Sequence, residues 1–341
     1  MKNSNDFSML LTSFLSKYLP GQRNVSTNTI MSYRDNFKLF IHYCTDERGL
    51  SLKSIQMQCI DRKMILEYLG WLEQTRGCSI STRNQRLAAF KSFFHFVSAE
   101  TPDYLFQCQQ IISIPMKKTS GKVMNYLSPE GIHHLLMQPD TRTWKGRRDH
   151  ALLVLLYDAA LRVQELVDLQ IHALRLESPT VVQVVGKGRK ARTIPLSGKT
   201  AGIVGDYIIE LRKRTHCTED SSLFQNSRGS RLTRVGISEI LNKYVAMMKK
   251  NGLTQYVTGA ISPHSLRHSK AIHLLRAGVP LIYIRDYLGH VSVTTTEIYA
   301  RVDAEEKRKA VENAYPVQSQ EKIPKWEKDK DLLEWLTNLC N

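Results

Sequence analysis

Acidic residues are scarce in this 341-residue chain. Asp and Glu number 32 against 48 Lys and Arg, a formal net charge of 48 − 32 = +16. An excess of that size points to a polyanionic partner, of which nucleic acid is the commonest. Cysteine is also sparse: Cys44, Cys59, Cys78, Cys108, Cys217 and Cys340 include no C-x-x-C pair. That speaks against a disulfide framework and against a zinc site of paired thiols, and it fits reduced thiols in a cytoplasmic compartment. No apolar run approaches the roughly 20 residues needed to cross a bilayer, so no membrane partner is expected. The short apolar run near the N-terminus is broken by Lys17 and has no small-residue cleavage site after it, which argues against a signal peptide. The length suffices for two cores, and two domains are expected.

The first part of the chain reads as helices. Ile30, Tyr33, Phe37, Phe40, Ile41 and Cys44 recur at helical spacing after a cap at Ser26 or Thr27. Asp61 caps a second run through Ile65, Tyr68, Leu69 and Leu72. A third begins near Ser81 and carries Leu87, Phe90, Phe94 and Val97 on one side, with Arg83, Arg86 and Lys91 elsewhere. No strand pattern interrupts, so residues 1–113 are expected to form a small helical domain. Taken alone, the three basic residues read as a solvated face; the net charge favours contact with a nucleic-acid backbone. Residues 114–125 lack periodicity and carry Lys117, Lys118 and Lys122, the mark of an exposed basic linker. Ser128-Pro129 then opens a new helix and a second domain.

In the second domain a buried-looking helix over 151–159 feeds a turn at Leu161-Arg162, after which Glu165, Leu166 and Leu169 continue helically. A lone arginine there reads as a helix-end charge. Val181 to Val185 and Arg192 to Leu196 read as strands of a hairpin whose tip carries Lys187, Gly188, Arg189 and Lys190. Basic residues at such a tip ordinarily keep the turn soluble.

The densest chemistry lies between His264 and Tyr299. Pro263 opens a helix that Gly278 ends, with His264 and Arg267 on one face of its first turn. Pro280 opens a second helix and Gly289 closes it, placing His290 just past its C-terminus. Thr294 and Glu297 have capping-box spacing, which puts Tyr299 early in a third helix. Tyr283 and Tyr287, among Leu281, Ile284 and Leu288, read as core. Guanidinium, imidazole and phenol together suit a phosphate, a proton carrier and a nucleophile. His264 and His268 have the spacing of a metal-binding pair, but Arg267 between them and the lack of an acidic residue beside them argue against a metal.

The sequence H-x-x-R, then L-G-H, then a tyrosine nine residues on, resembles the tyrosine recombinase, or phage integrase, family over residues 25 to 315. Within that resemblance A-L-R-V-Q-E-L matches the family box at Arg162, Glu165 and Leu166, with Ala160 where the family favours glycine; a left-handed turn there would strain Ala160. G-K-G-R-K matches the family hairpin at Lys187, with Arg189 and Lys190 as backbone contacts. The wording, including Lys270, resembles integrases and transposases of bacterial mobile elements most.

The resemblance implies a mainly α protein with a small antiparallel sheet: a SAM-like, core-binding domain and a catalytic domain over 126–315 that clamp double-stranded DNA. It implies that Arg162 and Arg267 grip one phosphodiester and Tyr299 attacks it. His264 takes the tyrosine's proton, Lys187 protonates the departing 5′ oxygen, His290 hydrogen-bonds the phosphate and Glu165 orients the basic groups. No metal, ATP or other cofactor is needed. Strand exchange implies a homo-oligomer, a tetramer on paired sites, with accessory recombination proteins as conceivable further partners. Residues 316–341 hold a narrow apolar stripe, Leu332, Leu333, Leu336 and Leu339, expected to dock on a neighbouring protomer. A type IB topoisomerase and a catalytically silent DNA-binding regulator are the rival readings.

Overall fold

The computed structural model describes residues 6–119, 124–186, 191–290, 292–300, 303, 304 and 308. The chain divides into two compact units between residues 122 and 123.

The N-terminal unit is built from α1 (Asp6–Ser13), α2 (Thr27–His42), α3 (Arg62–Gln74), α4 (Ile80–Glu100) and α5 (Leu105–Ile112). Its helix starts follow local chemistry. Ser26 accepts from the Thr29 N–H, Asp61 from the Met64 N–H at 2.7 Å, and Ser79 from the Thr82 N–H at 3.2 Å, so α4 starts slightly earlier than the periodicity suggests. The core is aromatic: Phe37 meets Phe93 at 5.0 Å and Phe40 meets Phe90 at 5.1 Å between ring centroids, both edge to face. Cys44 and Cys108 are buried in it, and burial pushes each thiol up to about 11, which leaves them inert packing groups.

Arg83 departs from its expected place on a DNA-facing surface. It is 4% exposed, and its Nη1 donates to the Pro115 carbonyl at 3.3 Å and to Asn84 Oδ1 at 3.1 Å. Asn84 in turn holds the Lys117 backbone through both its amide atoms. This pair therefore straps residues 115–117 to α4. The expectation failed because helical spacing alone does not reveal that the chain returns over this face. Lys117 reaches Glu73 at 2.7 Å, Lys118 is exposed, and Arg86 and Lys91 are half-buried.

In the second unit Ser128 accepts from the Gly131 N–H at 3.1 Å with Pro129 in the first turn, giving α6 (Pro129–Leu136). α7 (Trp144–Asp158) begins well before the expected 151 because Thr143 caps it. A short α8 (Val163–Val167) follows. β2 (Val181–Val185) and β3 (Ala191–Pro195) form the expected hairpin, with Val182 opposite Ile194 and Val184 opposite Arg192. β1 (Leu174–Arg175) adds a third antiparallel strand on the β2 edge, too short to show a period in sequence. α9 (Gly198–Arg214) and α10 (Arg234–Lys250) pack on this frame around Leu152, Leu155, Leu166, Val182, Ile194, Val204 and Leu241.

α11 (Pro263–Arg276), α12 (Leu281–Leu288) and a helical segment over 294–300 complete it. Gly278 and Gly289 are left-handed, as a helix end requires. Thr294 is not the cap: the Ser292 hydroxyl accepts the Thr294 N–H at 3.2 Å. A separate apolar cluster joins Ala160, Ala271, Ile272, Ile284, Leu288 and Tyr299. Lys187, Arg189 and Lys190 at the hairpin tip and the tail over 316–341 lie outside the described residues. Among the described residues no helix is long and apolar enough to cross a membrane.

Candidate active site

Two arginines from distant parts of the chain meet at the C-terminus of α12. Arg162, at the turn before α8, donates from Nη2 to the Gly289 carbonyl at 3.0 Å; Arg267, in the first turns of α11, donates to the Leu288 carbonyl and, at 2.6 Å, to the Ala160 carbonyl. The last carbonyls of a helix are its negative end, so they suit two cations. Arg267 is 3% exposed. Burial, then the neighbouring Arg162, pushes it down to about 10, and it remains charged at neutral pH.

Glu165 balances this positive charge. Its carboxylate accepts from the Arg162 N–H at 2.8 Å, from Arg162 Nη1 at 2.7 Å and from both terminal nitrogens of Arg192 at 2.8 Å. Burial alone would raise its pKa; the Arg192 fork and the Arg162 bonds outweigh burial and hold it at about 2. Glu165 thus orients two guanidinium groups and is not a proton donor at neutral pH. Arg192, which the sequence presents only as a strand residue, belongs to this arrangement. It also donates from Nε to the Tyr287 carbonyl at 3.3 Å. A side chain at Gly289 would bring its Cβ within 2.9 Å of the Arg192 guanidinium at a φ of +63°, so glycine is required there twice over.

Ala160 has a φ of +47°, the left-handed turn that the family's glycine would meet without strain. The turn aims the Ala160 carbonyl at Arg267 while Arg162 follows two residues later. The two arginines are therefore set by one short piece of backbone.

Tyr299 lies 1% exposed in the apolar cluster, with its ring between two histidines. It stacks on His290 at 6.5 Å between centroids and its hydroxyl meets His268 Nδ1 at 3.0 Å. Burial raises the tyrosine's pKa, partly offset by Arg267 and Arg162. His264 is exposed at the start of α11 and makes no hydrogen bond to Tyr299 among those described; it stacks on His268 at 6.4 Å. The group at the tyrosine's hydroxyl is thus His268, which the sequence presents only as half of a metal pair that its neighbours disfavour. Its i+4 position after His264 was the available signal. His290 bonds Thr296 Oγ1 at 3.0 Å through Nδ1, leaving Nε2 for another partner. Burial, then Arg267 and Arg162, pushes His290 down to about 4.

Of the two other tyrosines expected in the core, Tyr287 is half-buried and its hydroxyl donates to the Asp158 carbonyl, whereas Tyr283 is 65% exposed. The two share one face of α12, and only Tyr287, a turn nearer its C-terminal end, packs against the core.

A site with clustered guanidinium groups, a buried carboxylate that orients them, histidines and a tyrosine suits phosphoryl transfer through a covalent tyrosine intermediate. The phage integrase family model matches residues 125–306, and its N-terminal SAM-like domain model matches residues 11–101. A Sinorhizobium fredii protein described as a putative integrase/recombinase is 33% identical over 331 residues, 97% of each chain. The tyrosine recombinase XerC of Pelotomaculum thermopropionicum is 31% identical over 88% of this chain and 95% of its own. In fold, the chain is similar to the Tn1549 transposon integrase in complex with transposon right end DNA (TM-score 0.67, 18% identity, 88% of this chain and 99% of that one). It is also similar to the XerH site-specific recombinase bound to palindromic difH substrate (TM-score 0.64, 23% identity, 85% and 80%). The chain belongs to the phage integrase family. It is a tyrosine-type site-specific DNA recombinase.

Proposed function

We propose that Tyr299 attacks one phosphodiester of duplex DNA held by Arg162 and Arg267, leaving the protein joined to a 3′ phosphate and freeing a 5′ hydroxyl. The observation that carries this assignment is the convergence of both arginines on the end of α12, beside a tyrosine set between two histidines. Two guanidinium groups stabilise the charge that builds on the non-bridging oxygens in the transition state. His290 offers Nε2 to the phosphate, Lys187 protonates the departing 5′ oxygen, and Glu165 with Arg192 fixes Arg162. His264, exposed beside Arg267, contributes to phosphate binding. The covalent bond conserves the energy of the broken linkage, so a 5′ hydroxyl from a second strand reverses the step without metal or ATP.

Tyr299 is shielded in the free protein, so DNA binding must bring phosphate and hydroxyl together. Arg86, Lys91, Lys117, Lys118, Arg189 and Lys190 supply backbone contacts, in keeping with the net charge of +16. Exchange between two duplexes calls for an assembly on paired sites, a tetramer of this chain with its tail docked in trans, working in the cytoplasm on a mobile element.

The test is a plasmid pair carrying the DNA that flanks the gene, incubated with the protein and a chelator. Recombinant products that need both sites support the assignment. Relaxation of a supercoiled plasmid lacking those sites, with no recombinant product, would instead indicate a topoisomerase.

A further inference from the structure

The family's chemistry needs something to take the tyrosine's proton, and the site offers two histidines, His264 and His268. A phenol of ordinary pKa near 10 is almost wholly un-ionised at neutral pH, and here burial raises it further. The geometry separates the candidates: the Tyr299 hydroxyl is hydrogen-bonded to His268 Nδ1 at 3.0 Å, whereas His264, a helical turn away, makes no such bond among those described. Nδ1 accepts this bond in the tautomer that carries its proton on Nε2, and that tautomer is the one able to receive a proton from the hydroxyl.

We propose that His268 is the base that takes the hydroxyl proton of Tyr299 during strand cleavage, an inference that rests on the strand-cleavage function proposed above. The Tyr299 oxygen forms its bond to phosphorus with the electron pair of the breaking O–H bond. The proton passes to Nδ1 of His268, and the 5′ oxygen leaves with the P–O pair and a proton from Lys187. Rejoining reverses each transfer: the 5′ hydroxyl attacks, its proton returns to Lys187, and the departing Tyr299 oxygen recovers the proton from His268.

The charges around His268 explain why it would act only with DNA in place. It faces His264 and Arg267 on its own helix, Tyr299 on the segment over 294–300, and His290 just past α12. Burial, then His264 and Arg267, pushes its pKa down to about 4, so in the free protein it is neutral and a weak base. A phosphodiester seated on the arginines cancels part of that positive field, and the extra negative charge of the transition state cancels more. The base would thus strengthen as the bond forms.

The experiment uses the full chain and a nicked duplex bearing the DNA that flanks the gene, with the rate of covalent adduct formation as the readout. His268→Asn keeps a hydrogen-bond acceptor near the Nδ1 position and cannot take up a proton. It should slow adduct formation at pH 7 by about 100-fold or more. Replacing Tyr299 in that variant by an ortho-difluorinated tyrosine, whose phenol ionises near neutrality, should restore most of the lost rate. His264→Asn should stay slow with either tyrosine, because it removes a phosphate contact. In the otherwise unmodified chain the fluorinated residue should bring no acceleration, a measurement that stands even where His268→Asn does not fold. Rescue of His264→Asn but not of His268→Asn, or a large acceleration of the unmodified chain, would overturn the assignment to His268 while leaving the recombinase reading intact. If the unmodified chain forms no adduct at all, the function proposed above fails and takes this inference with it.

Discussion

Glu165→Gln isolates the carboxylate that holds the Arg162 and Arg192 guanidinium groups, because it keeps the shape and removes the charge. Glu165 is buried and its pKa falls from an ordinary 4.5 to about 2. A difference of about 2.5 units corresponds to about 3 kcal/mol of folding stability at neutral pH. The sign follows from the direction: a carboxyl held below its unfolded value stabilises the fold fully above about pH 4.5, and that contribution disappears as pH falls toward 2. About 1 kcal/mol of it should already be gone at pH 3.5. Removing the anion also leaves the Arg192 guanidinium, 12% exposed, without its partner, a change that typically costs about 3–5 kcal/mol. Glu165→Gln should therefore lower stability by about 3 kcal/mol or slightly more at pH 7, measured by urea unfolding, and the gap from the native protein should narrow in acid. A variant as stable as the native chain at pH 7, or a gap that does not change with pH, would refute the assignment of Glu165 as the charge that holds Arg162 and Arg192.

Three further outcomes follow from particular residues. A buried alanine changed to glycine ordinarily loses about 1.5 kcal/mol from the lost methyl and the freer unfolded chain; at Ala160 relief of the left-handed strain should cancel about 1 kcal/mol or more of this, whereas Ala271→Gly, in the middle of α11, should show the full loss in thermal unfolding. Arg83→Ala should destabilise the N-terminal unit by about 1–2 kcal/mol and leave the salt dependence of DNA binding unchanged, while Arg86→Ala should reduce that slope by about one; a reduced slope for Arg83→Ala would return it to the DNA surface. Lys187→Ala should slow cleavage of ordinary DNA about 100- to 10,000-fold, yet cleave a strand with a 5′-bridging sulfur almost as fast as the native protein, since a thiolate needs no proton to leave; equal slowness on both strands would make the lysine a phosphate contact.

Much of this site can be read without the fold, because its residues announce themselves by spacing. Pro263 and Gly278 bracket α11, Gly289 ends α12, and the left-handed Ala160 is foreseeable from the position of a missing glycine. Helix ends are local chemistry, so sequence carries them. What escapes depends on contacts between distant segments. Arg192 reaches Glu165 across 27 residues, and its role appears only when β3 is laid beside α8. Arg83 looks like one of three equivalent basic residues until residues 115–117 fold back over it. His268 and His264 share a helix face, and only the rotation of the segment over 294–300 decides which one meets Tyr299. The exposure of Tyr283 beside a half-buried Tyr287 belongs to the same class: the shared helix face is legible, how far along it the core extends is not.

Covalent attachment of Tyr299 to DNA is tested by mapping the modified peptide. The protein is incubated in chelator with a nicked duplex carrying the DNA that flanks the gene, the adduct is trapped under denaturing conditions, digested, and sequenced by mass spectrometry. A single 3′-phosphotyrosyl linkage at Tyr299, absent from Tyr299→Phe, is the expected result. A linkage at Tyr283 or Tyr287, or an adduct that persists in Tyr299→Phe, would contradict it.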